Sequence, residues 1–134
     1  MKHKDKYLID SLNKILNLQI DAIHELMETK SINSSNRQTM HISILRRKQM
    51  VDQLVYLILY HGGKIDKRTN IIGTPHHISG EKDEMKTSSL NKTNYQLIEL
   101  YRDIVEHGGI SVDMKTTLSG HHKIISSDLA QNMK

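Results

Sequence analysis

The sequence predicts an all-α protein: an antiparallel four-helix bundle with one long crossover between helices 2 and 3. Three observations predict it. Four stretches carry apolar residues at i, i+3, i+4 and i+7, the spacing that places them on one face of a helix. The core-forming residues are Leu, Ile, Val and Met, with five tyrosines and neither Phe nor Trp. The single proline falls in the one long interval between apolar stripes, so the rest of the chain is free to be helical. At 134 residues the chain reads as one domain, 1–134, large enough to bury a core without staples.

Helix 1 is expected over residues 6–30. Leu8, Leu12, Ile15, Ala22, Ile23 and Leu26 form its inward stripe, and Asp10, Lys14, Asn17, Asp21, His24 and Glu28 lie opposite. Gln19 interrupts the stripe near its centre. Ser34, Ser35 and Asn36 are N-cap candidates for helix 2, because their side chains accept the orphan N–H groups of a first turn.

Helix 2, over residues 35–61, is the longest apolar pattern. Met40, Ile44, Val51, Leu54, Val55 and Ile58 share a face, and Arg47 stands between Ile44 and Val51 on that face. Gly62-Gly63 ends the helix, since glycine adopts the left-handed conformation of a helix C-terminus. The crossover follows, rich in turn residues, with Ile71, Ile72 and Ile78 expected to tuck against the bundle.

Helix 3, over 82–107, turns Leu90, Leu97, Ile98, Tyr101, Ile104 and Val105 inward and ends on Gly108-Gly109. The second His-Gly-Gly repeats the ending of helix 2 as the same capping solution. Ser111 caps helix 4, over 112–131, whose stripe is Met114, Leu118, Ile125 and Leu129. Gly120 in mid-helix costs about 1 kcal/mol relative to alanine. It is expected to mark a close approach to another helix.

Each helix therefore carries one polar residue where the stripe should be apolar. These are Gln19, Arg47, Asn94 and either His121 or His122. They lie near the middle of helices of similar length, so antiparallel packing brings them to one interior level. A buried, unpaired guanidinium is strongly disfavoured. Arg47 is expected to snorkel to the rim or to pair with a carboxylate of a neighbouring helix or a second subunit. The sharper alternative is that it holds a small anion inside the bundle.

Other chemistry finds little footing. Without cysteine there are no disulfides, thiolate nucleophiles or Cys-ligated metals. No phosphate loop, dinucleotide fingerprint or Ser/His/Asp arrangement is recognisable. Nine histidines are many, yet His121 and His122 point about 100° apart on a helix and do not share a metal easily. His76-His77 follow Pro75 in the crossover without recognisable further ligands. Asp21, Glu25, Glu28, Asp52 and Glu99 are read as solvated. The net charge of +4 is scattered, with Arg46-Arg47-Lys48 its densest run, so nucleic-acid binding is not expected as the main role. The start MKHKDKYLID has no apolar h-region, and no apolar run is long enough to span a bilayer. The expectation is a soluble cytoplasmic protein with no membrane partner.

The pattern resembles a known group. The opening LNKILNLQIDAIHEL, the LILYHGG turn, the GTPHHISG stretch and the HHKI run are similar to the ferritin-like superfamily. More narrowly, they resemble its uncharacterised bacterial branch of small four-helix proteins, a domain of unknown function. The resemblance covers roughly 8–132 and implies a template with a carboxylate on helices 1 and 3 and Glu-x-x-His on helices 2 and 4. Two metals need such anionic oxygen donors. Here the matching positions are Gln19, Arg47 with Met50, Asn94, and Leu118 with His121, so only the histidine survives. The expectation is a non-catalytic ferritin-like bundle without metal or other cofactor. It would act through its surface as a protein-interaction or stress-related scaffold and homodimer. The alternatives are a metal-binding or redox protein using His121, and a basic bundle that binds nucleic acid weakly.

Overall fold

A computed structural model describes residues 3–32, 37–65, 83–107 and 109–132. It holds four helices: α1 (His3–Ile32), α2 (Arg37–Tyr60), α3 (Asp83–His107) and α4 (Val112–Asn132). They pack as a four-helix bundle, α1 against α2 and α3, and α3 against α4. The backbones of α2 and α4 approach each other far less, so side chains bridge that seam.

The predicted stripes form the core. Leu12, Ile15 and Ile23 of α1, Leu54 and Ile58 of α2, Leu97 and Ile104 of α3, and Leu118 and Ile125 of α4 are all fully buried. Each such side chain contributes about 2 kcal/mol of transfer free energy. Met50 joins them, and Tyr101 is buried as completely as any aliphatic residue.

The end of α2 is built by two glycines with different tasks. Gly62 has φ 79°. Its N–H bonds to the Leu59 carbonyl at 3.0 Å, and the Gly63 N–H bonds to the Ile58 carbonyl at 2.9 Å. This paired pattern is a Schellman C-cap, which needs the left-handed residue that glycine supplies at least cost. Gly63 instead makes room: a Cβ there would stand 2.7 Å from Cγ2 of Ile9. Asn13 secures the same junction, donating from Nδ2 to the Lys64 carbonyl at 3.0 Å and to the Ile9 carbonyl at 3.3 Å. At the start of α4, Ser111 Oγ accepts the Met114 N–H at 3.1 Å, the expected N-cap. Gly109, before it, has φ 80°.

Three expectations are corrected. Gly120 marks no close approach, because nothing lies within 4 Å of a Cβ built there. Glu25 is not solvated but buried, and Asp21 and Glu28 are half-buried, whereas Asp52 and Glu99 are exposed as expected. His24, placed on the solvent side of helix 1, is buried too. The reason for Glu25 and His24 is that α1 packs against two helices, so its buried arc is wider than one stripe. The cap candidates Ser34, Ser35 and Asn36, the isoleucines Ile71, Ile72 and Ile78, the His76-His77 pair and Gly108 lie outside the described residues.

Two glycine substitutions should separate these roles in chemical denaturation. Gly63→Ala should destabilise by about 1–3 kcal/mol, because the methyl overlaps the stiff Ile9 side chain. Gly120→Ala should stabilise by about 1 kcal/mol, because the site is helical and open. Stabilisation by Gly63→Ala would show that the α1–α2 junction yields freely.

Candidate functional site

Arg47 is 1 % exposed and stands in the middle of the bundle. Its Nη1 donates to Gln19 Oε1 at 3.1 Å. Its Nη2 donates to Asn94 Oδ1 at 2.9 Å and to Asp128 Oδ2 at 3.2 Å. The partners belong to α1, α3 and α4, so one guanidinium on α2 ties all four helices together. Asp128, whose side chain is 20 % exposed, closes a charge-assisted pair at the rim. Of the expected options, pairing with a carboxylate on a neighbouring helix is the one present. Burial pulls the Arg47 pKa down and Asp128 acts against that pull. An arginine nevertheless keeps its proton in a protein.

Because a guanidinium only donates, it fixes the orientation of the amide beside it. Gln19 must present its oxygen to Arg47. Its Nε2 then donates to the Tyr101 hydroxyl at 2.9 Å, with Met50 Sδ at 3.2 Å. At the far end the Gln53 amide oxygen can only accept, so His121 Nε2 carries the imidazole proton and donates to Gln53 Oε1. The neutral ring's Nδ1 then accepts from the Tyr101 hydroxyl, 2.9 Å away. Five side chains thus form a one-way series: Arg47, Gln19, Tyr101, His121, Gln53. The Tyr101 and His121 rings also meet edge to face, with centroids 5.5 Å apart at 83°.

Electrostatics hold this series in one protonation state. Burial pushes the Tyr101 phenol well above its ordinary value, so it stays neutral. Burial, and then the positive charge of Arg47, push His121 down to about 4. His121 is therefore a neutral imidazole at physiological pH and a weak base. The Arg47 Nε and Asn94 Nδ2 atoms are buried without a hydrogen-bond partner among the described residues.

The residues singled out in the sequence come together as a layer, with one distinction. Gln19, Arg47 and Asn94 touch directly, and His121 joins through Tyr101. His122 is half-buried, and its Nε2 has no hydrogen-bond partner among the described residues. Three members were not anticipated. Tyr101 reads as an apolar position, and the sequence pattern singles out neither Gln53 nor Asp128. Asp128 follows His121 by seven residues, two helical turns, which puts both on one side of α4.

The layer does not fit the two metals that the ferritin-like resemblance implies. It offers one carboxylate and one histidine around a fixed cation, and the other donors are neutral amides and a phenol. Among the described residues no three of His, Asp and Glu are grouped to hold a metal ion. A second polar cluster is smaller. Thr93 Oγ1 lies 2.9 Å from Glu25 Oε1 and 3.1 Å from the Ser89 carbonyl. Burial raises the Glu25 pKa, and hydrogen bonds from Ser89 and Thr93 oppose the rise. No family model and no curated protein matches this chain. None of the described helices is long and apolar enough to cross a membrane.

Two outcomes follow for stability. His121 titrates near 6.5 when unfolded and near 4 in the fold. Between those values the unfolded chain binds more protons, so its contribution is complete above about pH 7 and is lost as pH falls toward 4. The loss should be about 3 kcal/mol, read as the excess pH dependence of wild type over His121→Gln in denaturant titrations. Arg47→Met should cost about 3–5 kcal/mol, because it strands the buried oxygens of Gln19 and Asn94 together with Asp128. By removing a positive charge it should also raise the His121 pKa, which NMR titration measures. An unmoved His121 would mean that Arg47 does not act on it.

Proposed function

We propose that this chain is a non-catalytic, ferritin-like antiparallel bundle that serves as a protein-interaction scaffold and works as a homodimer. The observation that carries the reading is the Arg47 guanidinium at the interior level where the ferritin-like template has its anionic ligands. A cation held by three helices repels a metal ion from the same space. The layer also lacks an activated nucleophile and a pair of carboxylates for acid–base work.

The antiparallel arrangement is supported by pairs that run in opposite senses along the chain. Asn13 reaches Lys64 while Gln19 reaches Arg47, and Glu25 meets Thr93 while Gln19 meets Tyr101.

The dimer is supported by the outward face of α2. Ile42, Leu45 and Leu59 lie on the side away from Arg47, and each is between 49 and 56 % exposed. A helix apolar on both sides is unusual for a monomer surface. A two-fold axis would pack this face against itself.

Elemental analysis of tag-free protein purified without chelator, beside its mass in solution, tests the reading. The expected result is near-zero metal and a particle of about twice the 15.5 kDa chain, which Leu45→Glu splits into monomers. Stoichiometric iron or manganese, or a metal-dependent oxidase activity, would overturn the non-catalytic reading. A monomeric wild type would overturn the dimer.

A further inference from the structure

The seam between α2 and α4 contains a groove of about 560 Å³. That is the size of a site for a small ligand or a short peptide segment. Asp52, Gln53, Tyr56 and Tyr60 of α2 contribute one wall, and Asp113 and Thr117 of α4 the other.

Three features of the groove agree on one kind of occupant. The first is aromatic. The Tyr56 and Tyr60 rings stack with centroids 5.8 Å apart at 27°, and both tyrosines are largely exposed. Exposed ring faces attract cations. The second is charge. The protein carries a net charge of +4, yet the formal charges lining this groove are the carboxylates of Asp52 and Asp113, and no lysine or arginine lines it. A second groove, between α1 and α3, mixes Lys14 with Glu99 and Asp103 and has no aromatic residue. The third is the end of the hydrogen-bond series. His121 occupies the Gln53 oxygen, which leaves the Gln53 amide N–H groups as its offer to a ligand, and these need an acceptor.

An anion has no place here. The start of α4 is already capped by Ser111, and Asp113 puts a carboxylate in its first turn. A carbonyl for Gln53 and a cation for the tyrosines and aspartates together describe a residue of a basic peptide. The geometry points to the α2–α4 groove as a docking site for a basic peptide segment. It seats an arginine or lysine head between Tyr56, Asp52 and Asp113, and a backbone carbonyl on Gln53. This assignment is independent of dimer formation.

The test is an NMR titration of the full chain with N-acetyl-arginine-methylamide and with its uncharged isostere, N-acetyl-citrulline-methylamide. Amide shifts should saturate at Gln53, Ser111 and Thr117 and not at Thr93. The guanidinium compound should bind about five-fold tighter than the urea, and the preference should shrink as salt rises. It should vanish in Asp52→Asn/Asp113→Asn and weaken in Tyr56→Leu. Tyr56→Leu keeps an apolar residue at an exposed site, so it does not depend on refolding. Equal affinity for the two compounds, no saturation, shifts centred elsewhere, or an unchanged preference in the double variant would each overturn the proposal. Butylguanidinium, which has the same single charge but no amide, separates the sources. If it bound as tightly as the arginine compound, the backbone carbonyl would contribute nothing and the peptide assignment would fall. Repeating the titration on Leu45→Glu keeps loss of the dimer distinct from loss of the groove.

Discussion

A positive charge buried in a helical bundle is the constraint on which this structure turns. The Arg47 guanidinium has no access to water, so its donors must be met by protein acceptors or the fold loses several kcal/mol. Gln19, Asn94 and Asp128 meet the two terminal nitrogens, one from each of the other three helices, while Nε has no partner among the described residues. An apolar residue in place of the whole cluster is often just as stable in other proteins. What the cluster adds is geometric. A slip of any helix by one residue turns its contribution about 100° away from Arg47 and leaves a buried charge short of an acceptor.

The same cation imposes direction on its surroundings. Because it only donates, Gln19 must accept, and at the other end the Gln53 oxygen, which only accepts, sets the proton on His121. The series therefore ends with a fixed imidazole tautomer and with the Gln53 carbonyl occupied. Such a network does not transfer protons at neutral pH, since Arg47 and Tyr101 hold theirs and His121 stays neutral. Its effect is positional: it joins the centre of the bundle to the seam between α2 and α4. That seam is where the backbones stay apart, where the groove lies, and where two tyrosines remain exposed.

α2 is unusual among the four helices because both of its sides are apolar. Its inner side joins the core through Val51, Leu54 and Ile58, and its outer side shows Ile42, Leu45 and Leu59. A bundle that satisfies its own core has no internal use for the second side.

Much of this architecture is legible in the sequence. Helix spans, core stripes, the Gly62 cap and the Ser111 cap follow from local rules, because periodicity and capping depend on neighbours a few residues apart. The four interior polar positions were visible for the same reason, as breaks in otherwise apolar stripes. Partnership was not visible, because it depends on how far each helix slides and turns against the others. Hence Tyr101, an apolar position by pattern, became the hinge between Gln19 and His121, and Asp128 became the counter-ion of Arg47. Glu25 and His24 were misread because one sequence stripe cannot show that α1 touches two helices. Gly120 was misread because a missing side chain does not say whether anything stands opposite. The sequence by itself determined four amphipathic helices and a polar residue inside each. Only the tertiary structure decided which of those residues meet, which histidine joins them and where the bundle stays open, because those depend on packing between segments far apart in the chain.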